Sequence, residues 1–120
     1  MLLSDDKYGH VIKQADSSLF TGVPDRPDHA RGFMWDEGFH QHLVSVWDLN
    51  LTMEIISSWF NQTDQTTGWI CREQMLGREA RWGAPPSSWG QISSEANPPS
   101  QHMLLGHLLD RFDSDPELKE

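Results

Sequence analysis

The chain has few basic residues, a single cysteine and no long apolar run, and each shortage argues against a class of protein. Among its 120 residues, 9 Lys and Arg stand against 18 Asp and Glu, for a net charge of −9. This balance argues against a nucleic-acid partner, because phosphate binding needs clustered cations. The lone Cys71 excludes an internal disulfide and leaves the redox compartment open. No apolar run approaches the roughly 20 residues of a membrane-spanning helix, and residues 1–6 lack the pattern of a targeting signal.

Aliphatic residues are scarce, whereas tryptophan is abundant. Hydrophobic residues make up 37% of the chain, which is low for an independent globular domain, yet there are six tryptophans. Flat aromatic faces stack on sugar rings, and carboxylates accept hydrogen bonds from sugar hydroxyls. Acids and tryptophans together therefore favour a sugar-binding surface, with core packing of the tryptophans as the other interpretation. The length suits one small domain or a piece of a larger one.

Apolar periodicity predicts three helices. The first covers Phe39–Trp47, and the second covers Leu51–Phe60 with Asn50 as its N-cap. In the second helix the apolar residues repeat at steps of four, which places them on one face. The third helix begins at Pro99, a residue that suits the first helical position, and runs to about residue 110 or 111.

Long loops connect these helices. Residues 1–30, 61–70 and 82–99 are rich in Gly, Pro and polar residues, and no strand ladder is evident. Residues 72–80 fit either a short fourth helix or an extended active-site loop. The expected fold class is therefore all-α, with three to four helices and long active-site loops. The apolar helix faces need more helices than this chain supplies, so we expect a fragment of a larger all-α domain.

The densest group of reactive side chains lies in the first motif, Arg31–Gln41. Asp36 and Glu37 stand side by side among aromatic residues, with Gly32 and Gly38 offering unusual backbone angles. A carboxyl group against aromatic rings loses solvation and keeps its proton to higher pH, as a general acid must. The alternative is that one of the two acids simply caps the following helix.

Two further motifs are less specific by themselves. In the second motif, Gly68–Arg81, the consecutive Arg72, Glu73 and Gln74 combine donors and acceptors near Trp69, which suits a polyhydroxylated ligand or an exposed helix with local charge pairs. The third motif, Glu95–Ser100, is typical of a rigid helix entry. The histidine spacings do not fit a metal-binding pair, so no metal is predicted.

Together with Leu19–Pro24, the three motifs resemble glycoside hydrolase family 63 in order and spacing. The resemblance implies an (α/α)6 toroid and an inverting hydrolase without a metal or other cofactor. It implies a glucosylated N-glycan as partner, from which the terminal α-1,2-linked glucose is removed in the lumen of the endoplasmic reticulum. It assigns the general acid to Asp36. The substrate-binding positions it implies are Arg31, Phe33, Trp35, Glu37, His40, Trp69, Arg72, Glu73 and Gln74.

The resemblance also implies that part of the catalytic machinery lies elsewhere. Inverting hydrolysis uses two carboxyl groups about 6.5–9.5 Å apart, and the adjacent Asp36 and Glu37 diverge in most backbone geometries. The family's general base lies far downstream, so we expect residues 1–120 to be a partial catalytic domain, inactive alone, with poorly ordered ends at 1–18 and 113–120. The alternatives are another (α/α)6 inverting glycosidase of trehalase type, or a non-catalytic sugar-binding remnant.

Overall fold

Three α-helices make up most of the regular structure, which confirms the expected helical fold class. The structure is a computed structural model that describes residues 2–4, 11–13, 17–91 and 96–115. Its elements, in chain order, are β1 Leu2–Ser4, β2 Val11–Lys13, β3 Gly32–Phe33, α1 Met34–Val44, α2 Leu49–Phe60, β4 Glu73–Gln74 and α3 Ser100–Ser114, with single 3-10 turns at Glu79–Arg81 and Pro86–Ser88.

The first two helices begin earlier than predicted. Helix α1 starts at Met34 rather than at Phe39, so both acids of the first motif lie in its first turn. Helix α2 is capped by Asp48 and not by Asn50, because the Asp48 carboxylate accepts a hydrogen bond from the backbone N–H of Leu51 at 2.9 Å. That bond satisfies one of the unpaired N–H groups at the helix start.

The apolar core joins α2 to α3. Ile56 of α2 packs with Leu104 and Leu108 of α3, and all three are buried. Four partly buried side chains surround this cluster: Leu49, Phe60, Leu105 and Phe112. Burying one such aliphatic side chain contributes about 1.5–3 kcal/mol. This small cluster therefore helps to hold the two helices together.

Polar contacts fix the far end of α1 against α3. The guanidinium of Arg111 donates to the backbone carbonyl of Ser45, the C-cap of α1, at 3.0 Å. A cation at a helix C-terminus interacts favourably with the carbonyl groups that have no partner within the helix. Helix α1 is thereby held to α3 at its C-terminal end.

Two short strand ladders are present in the described residues, so the expectation of no strand ladder was wrong. Strand β3 pairs antiparallel with β4, and β1 pairs antiparallel with β2 inside the stretch predicted to be irregular. The segment 72–80 is therefore extended at its start and not a helix. The prediction that 1–18 and 113–120 are poorly ordered falls largely on residues outside the described part of the chain, namely 1, 5–10, 14–16 and 116–120.

Helix α1 and the turn that follows it leave exposed apolar side chains on the surface. Phe39, Leu43, Val46 and Trp47 are all exposed, and Trp47 retains 78% of its accessible area. Within the described residues, no helix combines the length and apolar character that crossing a bilayer requires.

Candidate active site

The short ladder between β3 and β4 brings the first two motifs together. Gly32 lies opposite Gln74, and Phe33 lies opposite Glu73. The backbone N–H of Met34 then donates to the carbonyl of Arg72 at 2.9 Å. Since α1 begins at Met34, the second motif fixes where the helix that carries both acids begins.

A buried ion pair reinforces this ladder. Nε and Nη2 of Arg31 each lie 2.9 Å from Oε2 of Glu73. The guanidinium carbon also lies 4.5 Å from the ring centroid of Phe33, in cation–π geometry. The two charged side chains are only 7% and 14% exposed. Arg31, Phe33 and Glu73, all predicted to bind substrate, are thus in contact with one another.

Glu37 is held inside the protein. Its residue is 1% exposed, and its carboxylate accepts hydrogen bonds from Thr21 Oγ1 at 2.9 Å and from Gln41 Nε2 at 2.5 Å. Nδ1 of His40 lies 3.2 Å from the same carboxylate. Glu37 therefore joins the first turn of α1 to the loop that precedes β3.

A tryptophan extends this network into α2. Nε1 of Trp59 donates to Oγ1 of Thr21 at 2.9 Å, and the Thr21 hydroxyl in turn donates to Oε2 of Glu37 at 2.9 Å. Trp59 is fully buried. Sequence periodicity placed Trp59 only on an apolar helix face. No sequence signal connected it with Thr21, although Thr21 lies in the segment Leu19–Pro24 that contributes to the family resemblance.

Asp36 lies in a different environment from its neighbour. Its side chain is partly exposed, and no other described residue forms a hydrogen bond or ion pair with it. Neither acid caps α1, because its N-cap is Phe33 and no side-chain hydrogen bond caps the helix. Trp35 and Phe39, on either side of Asp36 in sequence, meet edge to face with centroids 5.8 Å apart and are 38% and 50% exposed. An accessible carboxyl group thus lies on the same helix turn as exposed aromatic rings.

The start of α3 docks against the first turn of α1. Oγ of Ser100 donates to the Trp35 carbonyl at 2.5 Å, and Nε2 of Gln101 donates to the Met34 carbonyl at 3.1 Å. Gly38 faces Ser100 at close range. The sequence predicted a helix entry here, but it carries no signal that marks either side chain as a partner of α1.

The two glycines of the first motif act through size and not through unusual angles. Among the described glycines, positive φ occurs at Gly68 and Gly83, whereas Gly38 is helical and Gly32 lies in a strand. A Cβ on Gly32 would lie 2.8 Å from Leu19 and 2.9 Å from Trp59. Gly32 is therefore required for close packing, which corrects the expectation of special backbone geometry.

The remaining candidates are held mainly by local bonds. Gln74 is buried and donates to the Cys71 carbonyl at 3.1 Å. Trp69 lies in a turn closed by hydrogen bonds between Asp64 and the backbone of Gly68 and Trp69. Burial raises the pKa of the Cys71 thiol to about 11, which makes it a poor nucleophile at neutral pH.

Two grooves in the described part of the chain have linings that do not include Asp36. A groove of about 720 Å³ runs along α2, with a lining of Ser17, Ser18, Met53, Glu54, Ser57, Ser58, Asn61 and Gln62. Another of about 530 Å³ is lined by Arg26, Ala30, Arg78, Glu79 and Trp82. Within the described residues, no three His, Cys, Asp or Glu side chains are placed to hold a metal ion.

Known proteins share this sequence over most of its length. A family model described as "Glycosyl hydrolase family 63 C-terminal domain" matches residues 3–120. The chain is 43% identical over 104 residues to the "Probable mannosyl-oligosaccharide glucosidase" of Schizosaccharomyces pombe, an overlap of 87% of this chain and 13% of the relative. It is 43% identical over 105 residues to the "Mannosyl-oligosaccharide glucosidase" of Saccharomyces cerevisiae, an overlap that covers 88% of this chain and 13% of the relative. For the "Mannosyl-oligosaccharide glucosidase GCS1" of Arabidopsis thaliana, the identity is 43% over 94 residues, which cover 78% of this chain and 11% of the relative. The chain thus spans 11–13% of the length of these relatives.

Proposed function

The chain belongs to glycoside hydrolase family 63, and we propose that it supplies the general acid of an inverting α-glucosidase. The proposed substrate is a glucosylated N-glycan oligosaccharide, from which the enzyme removes the terminal α-1,2-linked glucose. The names of the relatives support this substrate class. We further propose that the three helices form part of an (α/α)6 toroid and that the enzyme acts in the lumen of the endoplasmic reticulum, without a metal or other cofactor.

The chemistry assigned to Asp36 is proton donation to the leaving oxygen. The protonated carboxyl gives its proton to the glycosidic oxygen while the bond from that oxygen to the anomeric carbon breaks. A water molecule attacks the opposite face of the sugar and passes a proton to a second carboxylate, so the products are inverted glucose and the shortened glycan. The second carboxylate belongs to the rest of the catalytic domain, which is the partner this chain needs for activity.

The observation that carries the proposal is the contrast between two adjacent acids. The Glu37 side chain is buried and hydrogen-bonded to Thr21 and Gln41, whereas the Asp36 side chain is partly exposed and forms no hydrogen bond with another described residue. A general acid must reach its substrate, and only an accessible carboxyl group can do so. The exposed rings of Trp35 and Phe39 on the same turn supply apolar surface for a sugar ring.

The other candidate residues divide into two groups by accessibility. Arg31, Glu37, Glu73 and Gln74 are largely buried and hold the ladder and the first turn of α1. The more accessible candidates for sugar contact are Trp35, His40, Trp69 and Arg72, with Phe33 at the edge of the ladder. Because Asp36 lines neither of the two grooves described above, we propose that the rest of the domain supplies the opposite wall of the pocket.

A chimeric enzyme tests the assignment. In the Saccharomyces cerevisiae relative, the 105 matched residues are replaced by the corresponding part of this chain, and glucose release from a glucosylated oligosaccharide is measured. Asp36→Asn is expected to lower kcat by about 10²–10⁴-fold, the usual contribution of general acid catalysis. NMR of the first product is expected to show β-glucose, the inverted anomer.

Asp110→Asn serves as the matched control, because Asp110 is an exposed acid on α3. This variant is expected to keep full activity. An Asp36→Asn chimera with unchanged kcat, or a folded parent chimera with no activity, would contradict the proposal. Release of α-glucose as the first product would contradict the inverting mechanism.

A further inference from the structure

We propose that Ser100 and Gln101, at the start of α3, are positioning residues for the catalytic acid. This inference rests on the proposed role of Asp36. The two side chains bind the two backbone carbonyl groups that precede Asp36 in α1, and we infer that they set the distance and direction of proton transfer. They do so without touching the substrate.

The contacts converge on one turn of backbone. Ser100 Oγ donates to the Trp35 carbonyl at 2.5 Å, and Gln101 Nε2 donates to the Met34 carbonyl at 3.1 Å. In an α-helix these carbonyls also accept from the amides four residues later. A carbonyl oxygen has two lone pairs, so the donors from α3 add to the helix bonds and do not replace them. Ser100 and Gln101 are both buried, so water does not compete freely for these bonds.

Asp36 depends on its backbone for its position. Within the described residues its side chain has no hydrogen-bond partner that could orient it. The backbone next to it is held at the Met34 N–H by the Arg72 carbonyl, and at the Met34 and Trp35 carbonyls by α3. Loosening the last two contacts frees the turn that carries the acid.

The third motif explains why these two side chains are in place. Pro99 is the N-cap of α3, and the Ser100 N–H donates to the Pro98 carbonyl at 2.8 Å. Two consecutive prolines restrict the backbone immediately before Ser100. The rigid entry predicted from the sequence therefore presents Ser100 and Gln101 in a fixed direction toward α1.

Small displacements of a catalytic group are costly. A misplacement of about 1 Å can lower a rate by about 10²-fold, because reacting atoms must be within near-attack distance. If α3 only positions Asp36, removing its contacts lowers the rate only for substrates whose leaving group needs a proton. An α-1,2-linked glucose disaccharide needs one, whereas α-glucosyl fluoride loses fluoride ion with little help from an acid.

The experiment compares these two substrates in the chimera. Ser100→Ala and Gln101→Met each remove one donor while keeping the side-chain size nearly unchanged. Each is expected to lower kcat on the disaccharide by about tenfold or more, with KM unchanged and with less than about a twofold effect on the fluoride. The control is Leu108→Val, which loosens the α2–α3 core on the same helix. Leu108→Val is expected to change kcat on both substrates by the same factor.

A second measurement does not depend on activity. Hydrogen exchange at the Gly38 and Phe39 amides reports on the helix bonds to the Met34 and Trp35 carbonyls. In the 120-residue chain, Ser100→Ala and Gln101→Met are expected to speed this exchange selectively, and Leu108→Val is not. Equal losses on both substrates, or no change in either measurement, would overturn the inference. If Asp36→Asn itself left disaccharide hydrolysis intact, the proposed function would be wrong, which is a separate result.

Discussion

Gly38 of α1 and Ser100 of α3 meet at a distance that leaves no room for a side chain at position 38. A Cβ added to Gly38 would lie 2.6 Å from both the carbonyl carbon and the Cβ of Ser100. Real Cβ atoms do not approach backbone atoms so closely, so the glycine allows the two helices to touch. This close approach is also what brings Ser100 Oγ within hydrogen-bond distance of the Trp35 carbonyl.

We expect Gly38→Ala to destabilise the chain by about 1–3 kcal/mol, the usual cost of forcing an added group into a tight contact. The intrinsic helix preference of alanine opposes this loss, but only by about 1 kcal/mol. The free energy of unfolding in urea is the measurement.

Gly106→Ala is the matched control for this substitution. Gly106 is also inside a helix, but a Cβ there would meet no atom within 4 Å. Here the helix preference acts without opposition, so stability is expected to rise by up to about 1 kcal/mol. Similar effects at the two glycines would contradict the packing explanation.

The sequence predicted those helices whose apolar residues repeat at a regular local spacing. Steps of four among apolar residues predicted α2 and α3, and these faces do form the core. The start of α1 was missed because its first turn is followed by Gly38, a poor helix former, and is supported from outside the helix. Its support comes from the Arg72 carbonyl and from Ser100, which are distant in sequence.

The strands were missed for a related reason. Strands β3 and β4 have two residues each, too few for an alternating pattern, and their pairing joins Gly32 to Gln74 across a long separation. The sequence predicted residues of the first two motifs as site candidates, and the ladder places these two motifs side by side. The polar partners could not be predicted, because a hydrogen bond such as that from Trp59 to Thr21 produces no repeating pattern in the sequence.

We expect Thr21→Val to destabilise the chain by about 1–3 kcal/mol, because it leaves buried polar groups without partners. The Thr21 hydroxyl lies between Nε1 of Trp59 and the Glu37 carboxylate, at 2.9 Å from each. Valine keeps the shape but can neither accept from the indole nor donate to the carboxylate. Thr66→Val, at an exposed position in a turn, is the control and is expected to change stability by less than about 0.5 kcal/mol. Equal effects would mean that the network contributes little.

The buried thiol makes stability depend on pH in the alkaline range. Burial raises the pKa of Cys71 from 9.0 to about 11 in the folded chain. Below pH 9 the thiol is protonated in both states and its contribution to stability is complete. Between the two pKa values the unfolded chain loses this proton while the folded chain keeps it, so stability falls as the pH rises.

The measurement is the free energy of unfolding below pH 9 and again between the two pKa values. Cys71→Ala removes the thiol but leaves every other alkaline group in place. Its stability is expected to fall less over the same interval than that of the parent chain. Parallel declines in the two proteins would show that the thiol ionises equally in the folded and unfolded states.

The ion pair between Arg31 and Glu73 is expected to behave as a unit. Arg31→Met leaves a poorly solvated carboxylate without its partner, and breaking a buried pair in this way costs about 3–5 kcal/mol. Glu73→Met leaves the guanidinium with Phe33 and the Asp28 carbonyl, so its cost is expected to be smaller. The double substitution removes both charges and is expected to be more stable than Arg31→Met alone, since replacing a whole buried pair by apolar groups is often nearly neutral.

A double-mutant cycle measures the coupling between these two residues directly. The pair Asp25 and His29 supplies the comparison, because it lies in the loop before β3 and its side chains are 42% and 49% exposed. Solvent screens such a pair, so its coupling is expected to be the smaller of the two. If the two cycles gave equal coupling, burial would not be what strengthens the Arg31–Glu73 contact. The ladder that places α1 would then depend on its backbone hydrogen bonds and not on this charge pair.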